Sequence, residues 1–288
     1  MKQIEFIPCE EKTTNDRLVN LYGSHLNDLY HAVEAIYKSD DYPIKPALPL
    51  LIELAEDDNG EFPYEKADVK VMIIGRDTNN WNDLCNRADE NLFTDHHSYN
   101  FTLETNEDIF AEIKGRHTES EDYYGITDIY ICYHNPENME KTPFTVRKDI
   151  FMERLKSRLP HKKIEHLWNN LNKIGCGAPG VGKGAKKVPS YIKETERNFF
   201  NVLKDETAIL QPDIVVFMTQ EGDKDIKEKW NLQDDDFTVI NGELPMLARL
   251  NIPGIKYAAR TIHPGYKSNV VFNAYTDALI DDILKHMG

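Results

Sequence analysis

The chain has 288 residues, a formal net charge of −15, and 40% hydrophobic and 10% aromatic residues, enough for one large α/β domain with a real core or two modest ones. It contains no run of about 18 apolar residues, so no membrane span is expected, and its opening MKQIEFIPCEEKTTND lacks the basic-then-apolar layout of a secretory signal. The acidic total disfavours a protein that wraps nucleic acid over its whole surface, while four scattered cysteines (Cys9, Cys85, Cys132, Cys176) with no CxxC pair signal no zinc or iron–sulfur site and fit a reducing cytoplasm.

Leu18, Leu21, Leu26, Leu29, Val33 and Ile36 recur at helical spacing in NDRLVNLYGSHLNDLYHAVEAIYKS, with Asn15 or Asp16 as the cap. The Pro-rich DYPIKPALP then leads into LPLLIELAE, read as a short apolar helix. Residues 69 to 75, VKVMIIG, form the clearest strand, and their near-continuous apolar run predicts burial on both faces, as in a parallel sheet. Residues 82 to 140 read as an acidic insertion or lid with one or two helices; from Asp83 to Glu140 there are 14 acidic and 3 basic residues. From Lys141 to Ser190 the balance reverses to 12 basic and 3 acidic residues, which predicts a basic face that a DNA or nucleotide partner would meet.

Within that basic segment Pro143 to Leu159 reads as a helix, and KKIEHLW as a strand whose spacing also suits a helix. One helix opened by Ser190 is expected over YIKETERNFFNVLKDET, then a second strand at DIVVFMT. FTVIN and IKYAARTI are further strand candidates, and NVVFNAYTDALIDDILKHM is a closing amphipathic helix. Alternating strands and helices predict a three-layer α/β/α domain with a mainly parallel central sheet. It would be a single domain over 1–288: a helical extension at 1–66, the insertion at 82–140, and a core from 67 to 81 and 141 to 288.

GAPGVGKG, Gly177 to Gly184, is one residue short of a nucleotide-binding P-loop. Gly184 follows Lys183 where a hydroxyl should hold magnesium, AKKVP separates the loop from the next helix, and the preceding NNLNKIGC does not read as a buried strand. The loop is read instead as a basic stretch offering Lys183, Lys186 and Lys187 to phosphate, or as a solvated linker. No metal or cofactor is implied.

In doubly wound sheets ligands collect at the carboxyl ends of strands. After VKVMIIG comes Arg76-Asp77-Thr78-Asn79-Asn80-Trp81, after KKIEHLW comes Asn169-Asn170, and after IKYAARTI comes His263-Pro264-Gly265-Tyr266. A carboxylate can orient water, an amide can read a planar ring edge, and a neutral imidazole can donate to an oxygen gathering charge.

The order GRDTNN, NNLNK, VVFMTQ and TIHPGYKS resembles the uracil-DNA glycosylase superfamily over Val69 to the C-terminus. That family carries G-Q-D-P-Y-H or G-x-N-P-G after its first core strand, an Asn after its second, and H-P-S-P-L-S after its last. The resemblance implies hydrolysis of a C–N glycosidic bond in a flipped nucleotide, with Asp77 positioning the water and His263 stabilising the departing base anion. It implies Asn170 or Asn169 as reader of the base and Phe144 or Trp81 as the stacking ring; Lys267 and Ser268 are further candidates for phosphate. Asn79 stands where the motif has the Tyr that excludes thymine, Thr78 where it has a stiffening Pro, and Lys267 where it has the Leu wedge. Gly265 and Tyr266 replace a Ser-Pro pair that grips phosphate. These departures leave open a second reading, a non-catalytic or differently specialised nucleotide- or nucleic-acid-binding protein on the same fold.

Overall fold

The computed structural model describes residues 3–77, 99–118, 121–134, 141–177, 188–220, 223–266 and 268–287. They form an α/β protein with eight α-helices and a mixed, mostly parallel six-stranded sheet. The chain divides into two compact units, one of residues 1–54, 77–139 and 172–209, the other of 55–76, 140–171 and 210–288.

In the first unit α1 (Thr14–Lys38) buries Leu18, Leu26, Leu29, Val33 and Ile36 of the stripe expected from the sequence, with Tyr22 buried in place of the half-buried Leu21. Its cap is Thr13 rather than Asn15 or Asp16: the Thr13 hydroxyl accepts from the Asp16 N–H, and the Asp16 carboxylate accepts from the Thr13 N–H. Asn15 is instead buried, where its amide donates to the Leu54 carbonyl at 3.0 Å and accepts from the Leu54 N–H at 2.9 Å.

That clasp explains a correction. LPLLIELAE is not a helix; β1 (Lys45–Pro49) enters it and residues 50–56 run without regular structure. Prolines at 43, 46 and 49 oppose helix. The backbone finds partners elsewhere, Leu50 N–H on the Lys173 carbonyl at 2.8 Å and Ile52 N–H on the Tyr22 hydroxyl at 2.9 Å. The acidic stretch contributes α2 (Asn106–Lys114), a β3 (Arg116–Thr118) and β4 (Glu121–Tyr123) hairpin, and α3 (Ile126–His134).

The second unit holds most of the sheet. Helix α4 (Pro143–Arg158) precedes β5 (Ile164–Asn172), and β5 lies beside β2 (Val69–Asp77). NNLNKIGC is therefore strand after all, because β5 runs through Asn169 and Asn170 to Asn172, and β6 (Ile174–Gly177) pairs antiparallel with β1 in the first unit. Its asparagines masked the pattern, since they are buried polar groups rather than loop residues.

The predicted helix over 191–207 is two: α5 (Ser190–Phe199) and α6 (Leu203–Leu210), with Pro189 rather than Ser190 at the cap position of α5. The break lets Phe200, Val202 and Leu203 all become fully buried, which one continuous helix face does not allow.

β7 (Ile214–Phe217) pairs parallel with β2, and β10 (Tyr257–Arg260) pairs parallel with β7. Helix α7 (Asp223–Trp230) follows β7; β8 (Phe237–Val239) and β9 (Ala248–Leu250) then extend the sheet antiparallel beyond β10. β9 was not anticipated. The register puts Ile74, Phe217 and Arg260 at one level, so β2, β7 and β10 direct their carboxyl ends to one edge. At the other edge Asp213 joins them: its carboxylate accepts from the Lys70 N–H at 2.8 Å and its carbonyl from the Tyr257 N–H at 3.0 Å. Phe151, Met152 and Leu155 of α4 and Phe272, Leu279 and Ile283 of α8 (Asn269–Met287) bury Val71, Ile73 and Val216. From the opposite face Phe217 meets the Trp230 ring edge-on at 5.4 Å.

Candidate functional site

Gly75 is where β2 needs to lack a side chain. A Cβ there would stand 2.5 Å from Asn170 Oδ1 and 3.1 Å from the Phe144 ring. Asn170 of β5 and Phe144 in the first turn of α4 thus converge over the end of β2, an amide beside an aromatic ring. Asn169 points away by strand alternation, fully buried, with its Oδ1 accepting from the Asn170 N–H at 2.8 Å. Of the two asparagines, Asn170 is the one beside Phe144.

One helical turn beyond Phe144, Arg147 of α4 donates to the Pro264 carbonyl and, at 3.1 Å, to Asn269 Oδ1, while its guanidinium lies 5.0 Å from the Phe272 ring centre. The turn after β10 is therefore tied to the helix that carries Phe144. Within that turn the Gly265 N–H donates to His263 Nδ1 at 3.0 Å. A ring nitrogen that accepts carries no proton, so this contact leaves Nε2 as the ring position for a donor hydrogen.

Asp77 belongs to the first unit. Its Oδ1 accepts from Asn172 Nδ2 at 2.6 Å, and buried Asn172 therefore orients the carboxylate. Asn172 was not picked out from the sequence, although the alternation Asn170-Leu171-Asn172 in a strand sets it on the same side as Asn170.

Two further residues were missed. Applying the strand-end rule to β7 as well would have found Thr219 and Gln220, which directly follow DIVVFM. Thr219 is 1% exposed, and neither its Oγ1 nor the buried Gln220 Oε1 has a hydrogen-bond partner among the described residues.

Of the phosphate candidates, exposed Ser268 accepts from the Val271 N–H at 3.4 Å at the start of α8. Lys183, Lys186, Lys187 and Lys267, and the stacking candidate Trp81, lie outside the described residues. Several of the described cations of the basic segment are engaged, whereas Lys141, Lys156, Lys162 and Lys163 are exposed. Lys148 and Lys173 are buried, and Arg154 and Arg158 pair with Asp277 and Asp281 of α8 at 2.8 and 2.9 Å. Lys148 Nζ reaches Asp149 at 2.6 Å and His166 Nε2 at 3.0 Å.

Among the described residues no group of three His, Cys, Asp or Glu side chains could hold a metal ion, and no helix is long and apolar enough to cross a membrane. No protein-family model matches the chain, and a search of curated proteins finds no match.

Proposed function

We propose that the protein is a uracil-DNA glycosylase-like hydrolase on a three-layer α/β/α scaffold, cleaving the N-glycosidic bond of a nucleotide in nucleic acid or free. The observation that carries the reading is the meeting of Phe144 and Asn170 over Gly75, an aromatic ring and an amide, the two group types that a planar base uses for stacking and for hydrogen bonding. His263 contributes through its tautomer: an Nε2–H is the donor that a departing base needs as negative charge gathers on its carbonyl oxygen. The resemblance assigns Asp77 the attacking water, and Asn172 keeps that carboxylate oriented. Water adds to the anomeric carbon, the C–N bond breaks, and its electron pair leaves with the base.

The test is release of free base from uracil-containing single-stranded and duplex oligonucleotides by wild type, Asp77→Asn and His263→Ala. Loss of release in both variants supports the assignment; equal release in all three removes it.

A second reading, a nucleotide-binding protein without this activity, draws support from the net charge of −15 and from the Arg154 and Arg158 pairs that quench cationic surface. It predicts nucleotide binding with no base release and little dependence on salt.

A further inference from the structure

The end of β7 departs from a regular parallel ladder. The Thr261 N–H donates to the Phe217 carbonyl at 2.8 Å, so the next bond in register would run from the Thr219 N–H to the Thr261 carbonyl. The Gln220 N–H takes that carbonyl instead, at 3.0 Å. One extra residue is therefore accommodated at Thr219, a bulge of the kind that re-aims side chains beside binding sites. Gln220 adopts φ 56°, in the left-handed region that side chains other than glycine rarely enter.

The slip leaves the Thr219 hydroxyl and Gln220 Oε1 buried without hydrogen-bond partners among the described residues. Such groups lower folding stability, so their presence calls for an occupant that satisfies them. Oε1 is an acceptor and needs a donor; the Thr219 hydroxyl both donates and accepts. A fully ionised phosphate or a carboxylate offers no hydrogen to Oε1. The N–H of a nucleobase does, and so does a sugar hydroxyl.

β7 lies between β2, which leads to Gly75, and β10, which leads to His263. We propose that Thr219 and Gln220 form a nucleoside-recognition element at the carboxyl edge of this sheet, hydrogen-bonding an N–H or O–H donor of the ligand. The ligand class rests on the reading of that edge given above, whereas the site rests on the ladder slip and the two buried atoms.

Thr219→Val removes the hydroxyl and keeps the shape. Titration calorimetry on the full chain, with uridine, 2′-deoxyuridine, uracil and inorganic phosphate as probes, is paired with thermal unfolding of each variant. The expected result is an unchanged or raised melting temperature together with roughly 3- to 10-fold weaker nucleoside binding, the size of one lost hydrogen bond. Gln220→Met is expected to weaken the same probes.

Equal losses for uridine and 2′-deoxyuridine place the donor on the base or the shared sugar hydroxyls, and loss of uracil binding then selects the base. Loss for uridine alone places it on the 2′-hydroxyl. Each of these supports the proposal. A lowered melting temperature with unchanged nucleoside affinity overturns it, as does a wild type that binds none of the nucleoside probes or a Thr219-dependent affinity for phosphate alone. Because binding is read without turnover, absent base release with Thr219-dependent nucleoside binding sinks the hydrolase reading and leaves this one standing.

Discussion

Lys173 and Glu206 form a fully buried ion pair in the first unit, with Nζ 2.7 and 2.9 Å from the two carboxylate oxygens and both side chains 0% exposed. The Tyr22 hydroxyl donates to Glu206 Oε1 at 2.7 Å, and burial and then the Glu206 charge hold that phenol well above its ordinary titration range. Lys173→Met leaves the Glu206 carboxylate buried without its opposite charge, with the Tyr22 hydroxyl still donating to it. Its least costly escape is to take up a proton. Keeping a carboxyl neutral costs about 1.4 kcal/mol for each pH unit above its ordinary titration near ~4.3, or roughly 3.7 kcal/mol at pH 7 and roughly 1 kcal/mol at pH 5. The range for breaking a buried pair from one side, about 3–5 kcal/mol, agrees.

The variant's folded state binds the extra proton, so its deficit is full at high pH and shrinks as the solution is acidified. Urea unfolding at pH 7 and pH 5 measures both values. Lys173→Met/Glu206→Gln, with no charge left to bury, should recover most of the loss and show little of this pH dependence. A single variant as stable as wild type at pH 7, or a deficit that stays constant between the two pH values, refutes the reasoning.

Gly75→Ala should displace Asn170 and Phe144, costing about 1–3 kcal/mol by overpacking and weakening nucleoside binding; thermal unfolding beside calorimetry reads both, and full affinity would argue against a base lying over β2. Arg147→Met frees the Pro264 turn, and should reduce base release more than it reduces the melting temperature; a variant with unaltered turnover would leave the tether without catalytic consequence. Asp16 and Asp108 titrate below their ordinary 3.8. At Asp16 burial opposes the shift, but hydrogen bonds from Thr13 and Lys12 prevail; at Asp108 the Glu104 N–H leads. Each stabilises the fold above that value, and the contribution is lost as pH falls through it. Circular dichroism during acidification should therefore show a shallower decline for Asp16→Asn/Asp108→Asn between pH 4 and pH 2, and matching curves would dismiss the capping contribution.

Strands β2 and β7 were legible because both carry unbroken apolar runs, the mark of burial on two faces. β5 was half-legible: its apolar start gives way to Asn-Asn-Leu-Asn, and only neighbouring strands and helices turn those amides into buried residues. The three residues of β9 offer too little pattern to read. The run at 48–54 misled because its apolar content suits a buried helix as well as a buried extended segment; the prolines were visible, the clasp by Asn15 was not. Strand ends indicated Asp77, Asn170 and His263 as candidates, and the helical spacing of Phe144 and Arg147 follows from α4. The tautomer of His263 and the bulge at Thr219 depend on single hydrogen bonds between chain segments, which no local pattern encodes.

Among the described residues the sheet order ends at β8, whose outer backbone groups are taken by no further described strand of this sheet. An unpaired margin is a template on which a second chain can add a strand. Here it is only three residues long and is reached through Asp234, Asp235 and Asp236, so two molecules approaching margin to margin bring like charges together before any pairing begins. The exposed Val239 is thereby shielded from self-association by electrostatics rather than by cover. Acid or high salt, which weakens that repulsion, is the condition under which aggregation through this margin would first be seen.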